Sequence, residues 1–218
     1  GMKEFPDGYF DLAIVDPPYG NAGGEFTGET RFGERFARYN HRTAESDGKI
    51  KHGCGHWHYS DVKWDIAPGE TYFNELFRVS KNQIIWGGNY FKLPPTRCFI
   101  VWRKLTISEN FTMSMCEYAW TSFNRNAAMV ELFTASKTGE PRRIHPTQKP
   151  VGMLGEIIKD FTRENDSVLD MFGGSGSALI ACEQLNRKCY MCEIDPHYVD
   201  VIIRRWEEFT GKKAVKLR

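Results

Sequence analysis

No stretch of this chain approaches the roughly 18 consecutive apolar residues that a membrane-spanning helix needs, and no charged segment followed by a long apolar one opens it. Neither a membrane span nor a secretory leader is therefore expected, and the expected location is cytoplasmic. Gly1 ahead of Met2 reads as an expression scar. The six cysteines form no even secretory framework and read as reduced thiols. Cys189 and Cys192 have half-site spacing for zinc or redox chemistry, but an odd separation on a strand sends the two side chains to opposite faces. Net charge is scarce too, at +1, so any attraction to phosphates must come from a local patch rather than from the whole surface. Internal repeats and low-complexity tracts are absent. With 218 residues and 41% hydrophobic content the chain can bury one full core and leaves no room for a second domain of normal size, so residues 1–218 read as a single domain.

What is present begins with Asp16-Pro17-Pro18-Tyr19, directly after the apolar run Leu12 to Val15. The run reads as a buried strand, and two prolines without N–H groups cannot continue a ladder, so the chain leaves the sheet there. In an open α/β sheet, ligands sit at the carboxyl ends of strands. The tetrapeptide places a carboxylate, rigid carbonyls and a phenol ring at such an end. That set suits a planar amino-heterocycle: two acceptors take the hydrogens of an exocyclic amine while the ring stacks on the base. The bland alternative is a Pro-Pro turn with a capping Asp and a packing Tyr.

A second motif, Asp170-Met171-Phe172-Gly173-Gly174-Ser175-Gly176, follows the short strand Ser167 to Leu169 and precedes a helix start at Ser177 to Cys182. Strand, glycine loop and helix form a nucleotide cradle, with glycines for close approach and free N–H groups at the helix N-terminus. A full G-x-G-x-x-G fingerprint would need glycine at Leu179, so a pyrophosphate is not implied. The next strand, Lys188 to Cys192, ends in Glu193, placed to hold a ribose diol. Between the two motifs, His145-Pro146-Thr147-Gln148-Lys149-Pro150 leads into a helix with Met153, Leu154, Ile157, Ile158 and Phe161 on one face.

These motifs together resemble the DNA amino-methyltransferases of the permuted beta type, over essentially the whole chain from Asp11 to Leu217. The resemblance implies an α/β, doubly wound, mostly parallel sheet of the S-adenosylmethionine-dependent methyltransferase type with circularly permuted motif order. It also implies S-adenosyl-L-methionine as cofactor, DNA as partner and a restriction-modification setting. Asp16, Pro17, Pro18 and Tyr19 would bind and activate the base. Asp170, Phe172, Gly174, Ser175, Gly176 and Glu193 would hold the cofactor, with His145, Thr147, Gln148 and Lys149 covering its methionine end. Asp rather than Ser at position 16 resembles adenine-N6 members more than cytosine-N4 ones. Met171 for the usual proline, and Ser177-Ala178 for the common Thr-Thr, depart from the pattern without removing a group assigned to chemistry.

Residues 20–63 carry little apolar periodicity. Seven Lys/Arg against four acids between Arg31 and Lys63 leave a local net of +3, with aromatics interleaved. Placed right after the catalytic turn, this stretch reads as a DNA-facing insertion, with Arg31, Arg35, Arg38 and Arg42 as phosphate ligands; the alternative is an ordinary insertion loop. His52, Cys54, His56 and His58 lack the paired, separated spacing of a structural zinc site, and no metal is expected. Further on, the patterning predicts a helix over 70–79, strands over 83–86, 98–102 and 115–123, an exposed linker over 124–143, and a last helix from Pro196 to about Phe209 with Val199, Ile202, Ile203 and Trp206 inward. A nicotinamide-dependent oxidoreductase would reuse the glycine loop but leave Asp16 to Tyr19 and His145 to Pro150 unexplained. A nucleic-acid-binding module with a vestigial pocket would make the basic loop the function. Recognition site and oligomeric state have no signature.

Overall fold

The computed structural model describes residues 1–20, 66–107, 114–133, 144–145 and 148–217. Two compact units divide the chain: residues 1–17 with 69–218, and residues 18–68. The second contains the 20–63 segment; the arginines at 31, 35, 38 and 42 and the His/Cys group at 52–58 lie outside the described residues, as do Pro146 and Thr147.

The first unit is built on seven strands: β1 (Leu12–Val15), β2 (Gln83–Trp86), β3 (Phe99–Lys104), β4 (Cys116–Thr121), β5 (Ala128–Leu132), β6 (Ser167–Asp170) and β7 (Lys188–Met191), in spatial order β5-β3-β4-β2-β1-β6-β7. Strand β4 runs antiparallel to β2 and β3; the other pairings are parallel. Among the described residues four α-helices accompany them: α1 (Glu70–Val79), α2 (Val151–Phe161), α3 (Ser177–Gln184) and α4 (Pro196–Thr210).

The two-residue period of β1 decides which helix covers which face. Leu12 and Ile14 join Ile84, Trp86 and Val168 in a core closed by α2 and α3 through Met153, Leu154, Ile157, Ala178 and Ala181. Ala13 and Val15 turn the other way, onto Phe73, Leu76 and Val79 of α1. Both faces are thus covered, which is why β1 reads as an unbroken apolar run. At the other end of β1, the Asp11 carboxylate accepts hydrogen bonds from Ser167 N–H (2.8 Å), Ser167 Oγ (2.9 Å) and Lys81 Nζ (2.6 Å), tying the starts of neighbouring strands together.

Helix ends follow their sequence. Asp195 caps α4 by accepting from His197 N–H at 2.9 Å, Pro196 stands in its first turn, and Gly211 closes it at φ 71°. The stretch expected as an exposed linker over 124–143 instead holds β5, pairing with β3 from Ala128 to Leu132. Its alternation is intermediate, exposed, buried, exposed, intermediate, and an edge strand with two exposed residues, Met129 and Glu131, looks like a loop in composition. In α4, Ile202 is buried as expected, but Ile203 faces solvent and Tyr198 takes an inward position. Cys192 lies just past the end of β7 and is exposed; the described cysteines are free thiols. Among the described residues no helix is long and apolar enough to cross a membrane.

Candidate active site

Parallel strands β1, β2, β3, β6 and β7 all end at one edge of the sheet, and the reversed β4 starts there. Six strands therefore deliver residues to a common rim: Asp16, Trp86, Lys104, Glu117, Asp170 and Glu193. Register fixes the two central ones, because Leu12 and Ala13 pair with Val168 and Leu169. The turn after β1 and the glycine loop after β6 are next-door neighbours, although more than 150 residues separate them in the chain.

Asp16 accepts a hydrogen bond from Lys149 Nζ at 2.5 Å. The same ammonium lies 3.2 Å from Glu117 Oε2 and 4.8 Å from the centre of the Trp86 ring, and Lys104 Nζ reaches Glu117 Oε1 at 2.7 Å. Lys149 is only 8% exposed. Burial by itself would push its ammonium down, but the charges of Asp16 and Glu117 outweigh that and hold it above its ordinary value. Burial likewise pushes Glu117 up, and Lys149 with Lys104 more than reverse it. The result is an alternating chain of charge, Asp16, Lys149, Glu117, Lys104, along the rim. Lys149, which the resemblance assigned to the cofactor's methionine end, is here engaged with the two carboxylates. Pro17 ends the first unit, and Pro18 and Tyr19 open the second.

Across β6 the acids are held by backbone instead. Glu193 accepts from the Gly174 N–H at 2.6 Å through one oxygen and from the Asp195 N–H at 2.9 Å through the other. Asp170 accepts from the Phe172 N–H at 3.0 Å. Burial pushes the Asp170 carboxyl up to about 7; the Phe172 N–H opposes the rise, and the nearby charges of Asp16 and Glu193 add to it. Gly174 and Gly176 adopt φ of 51° and 77°, a left-handed region that favours glycine. A side chain at Gly173 would strike Met191 Sδ at 2.8 Å, so that glycine serves packing against β7. Ser175 and Ser177 hydroxyls lie 3.0 Å apart, and Arg205 donates to the Ser175 carbonyl.

His145 packs edge-on against Tyr198 with ring centres 4.5 Å apart and lies beside Gly174. Gln148 accepts from the Ile144 N–H at 3.0 Å, closing its own loop. The remainder of the expected set in this loop, Thr147, is outside the described residues.

Four rim residues escaped sequence reasoning. Glu117 and Lys104 sit in strands without a motif, and only the reversed direction of β4 brings Glu117 to this edge. Tyr72, read as a core-facing helix residue, places its ring 5.5 Å from Phe172; its buried hydroxyl has no partner among the described residues. Ile194 is 85% exposed directly after Glu193. An isoleucine following the acid could have been noticed as an apolar surface beside a ribose site.

The cradle passes a fit test for a nucleoside-type sulfonium cofactor: left-handed glycines at the loop, an acid at the neighbouring strand end, an exposed apolar side chain beside it, and a rim carboxylate to meet a cation. Fold and site thus define a methyltransferase-type α/β domain. The chain superimposes on a PvuII DNA methyltransferase, described as cytosine-N4-specific, at a TM-score of 0.59 and 14% identity, covering 96% of this chain and 86% of that one. The M1.HpyAVI–SAM complex matches at 0.52 and 18%, covering 94% and 91%. Residues 116–204 match the family described as DNA methylase. Relatives include the type II methyltransferases M2.MboI of Moraxella bovis, 27% identical over 68% of this chain, and M.BglII of Bacillus subtilis, 24% over 92%. The chain spans 50% and 64% of those two relatives' lengths.

Proposed function

We propose that this protein transfers a methyl group from S-adenosyl-L-methionine to the exocyclic amine of a DNA base, with adenine N6 as the preferred target. The observation that carries this reading is the adjacency of Asp16 and the Asp170–Gly176 loop at the ends of neighbouring parallel strands. A base-binding acid and a cofactor cradle so placed can present a nucleophile to an activated methyl group. The adenine preference rests on Asp rather than Ser at position 16. The cytosine-N4 alternative is favoured by the likeness to the PvuII enzyme.

In this reading Glu193 would accept from the ribose hydroxyls, Ile194 would lie beside the cofactor's adenine, and the Asp170–Gly176 loop would hold its methionine part. Bound there, the cofactor supplies an already activated methyl group. Asp16 and the Pro17 carbonyl accept the two amine hydrogens, which favours a pyramidal nitrogen and offsets the positive charge that develops on it. Asp16 is also the group placed to take the released proton. Leaving the base stack costs a few kcal/mol, which a stack on Tyr19 helps to offset. The basic segment 31–42 supplies phosphate contacts, and a cytoplasmic setting agrees with a DNA substrate.

The test is incubation with isotopically labelled S-adenosylmethionine and unmodified DNA, followed by nucleoside analysis. Label in N6-methyladenine supports the reading, label in N4-methylcytosine replaces its base assignment, and unlabelled DNA sinks it.

A further inference from the structure

Two carboxylates at the rim compete for one ammonium, and the competition bears on the reactivity of Asp16. An ammonium has three donors and no acceptor, so Lys149, whose side chain is only 8% exposed, can bridge both acids. If Asp16 held Lys149 alone, the ion pair would neutralise its charge and leave it a weak acceptor. Glu117 draws on the same nitrogen from 3.2 Å, and Lys104 fixes Glu117 from its other side at 2.7 Å. The face of Trp86 bounds the space in which Lys149 can shift. Geometry alone puts Glu117 in this position, because β4 is the strand that runs against the rest.

We propose that Glu117 is a positioning residue for methyl transfer: by sharing Lys149 it keeps the Asp16 carboxylate oriented and its oxygens available to accept a hydrogen of the incoming amine. This inference rests on the proposed function. Glu117 touches neither base nor cofactor in it and acts through Lys149. When the amine arrives at Asp16, Lys149 leans toward Glu117, so no buried charge is left without a partner.

The test compares wild type, Glu117→Gln, Glu117→Asp and Lys104→Gln as full chains, with labelled S-adenosylmethionine and unmethylated phage DNA long enough to offer many sequence contexts. Single-turnover rates are measured across pH, and cofactor dissociation constants are measured by calorimetry without DNA. Glu117→Gln should lower the saturated rate constant by about tenfold or more, a fraction of what a positioned acid–base group contributes. Its cofactor affinity should stay near wild type, and Glu117→Asp should recover part of the rate. The acidic limb of the rate profile should move to lower pH in Glu117→Gln, where Asp16 has sole claim on Lys149. It should move to higher pH in Lys104→Gln, where Glu117 pulls harder on Lys149. Asp170, which feels the charges of Asp16 and Lys149, is the same in every variant, so differences between variants report on the shared ammonium. A merely structural defect moves both limbs the same way or neither, and that outcome overturns the proposal. So does an unchanged rate in Glu117→Gln, or a rate loss matched by lost cofactor affinity. A wild-type chain that leaves DNA unlabelled overturns the proposed function, and this inference with it.

Discussion

Asp16 and Glu193 stand at the same rim of one sheet, and both carboxylates are engaged, but by partners of different kinds. Glu193 is held by two backbone N–H groups, one of them 19 residues away and the other two. Asp16 is held by a buried ammonium 133 residues away, itself shared with Glu117. Backbone donors are fixed once the loop folds and do not move when a ligand arrives. A lysine can redistribute between two acids. Under the proposed function the cofactor side would accordingly be a preformed cradle and the base side an adjustable electrostatic balance.

Removing the shared lysine should have the largest effect. Lys149→Met removes the ammonium that Asp16 and Glu117 share, while Glu117 keeps Lys104, and should cost about 3 kcal/mol of stability in urea denaturation, since breaking a buried ion pair is strongly destabilising. A loss too small to measure would mean that water already compensates these acids, and the contrast with Glu193 would vanish. Asp16→Ala should lower methyl transfer at least about a hundredfold while leaving cofactor affinity near wild type. Full activity in that variant would remove Asp16 from the chemistry.

On the other side of the comparison, Glu193→Ala should weaken S-adenosylmethionine by about 1.5–3 kcal/mol, or roughly ten- to hundredfold, in a calorimetric titration. An unchanged dissociation constant would confine Glu193 to holding its own loop.

Asp170 sharpens the contrast through pH. Its folded value of about 7 lies above the ordinary 3.8, so the stability linked to it is present below that ordinary value and lost as pH rises through about 7. Asp170→Asn removes this dependence, and its melting temperature should gain on wild type between about pH 5 and about pH 8. A constant difference across that range would mean that Asp170 titrates alike in the folded and unfolded chains.

The smallest effect concerns the segment after Tyr19. Neutralising Arg31 and Arg35 should flatten the salt dependence of DNA binding by about 0.9 per lost contact in the log–log slope, with cofactor binding unchanged. Identical slopes would return that segment to an ordinary insertion.

The legibility of the site in the sequence follows the same division. The glycine loop and Glu193 are local, so strand, glycines and acid could be read within some twenty-five residues. The strands β1, β2 and β6 announced themselves because a sheet covered on both faces has no polar alternation to dilute the signal. Glu117 and Lys104 could not be read, since their role depends on strand direction, which no local pattern encodes. β5 was misread as linker because an edge strand needs only one covered face and carries charge on the other. Tyr72 looked like core because helical periodicity reports which face is inward, not what lies at the end of the ring.

The pairing of β1 with β6 also has a consequence during synthesis. Asp11 and its partner Ser167 are 156 residues apart, so one side of β1 has nothing to bond to until most of the chain has left the ribosome. At roughly 5–20 residues per second that interval lasts on the order of ten to thirty seconds. For that time Leu12 to Val15, a short and wholly apolar strand, offers a bare edge to any neighbouring nascent chain. Slow translation should therefore lower the yield of soluble protein, and chaperone binding should concentrate on the first third of the chain.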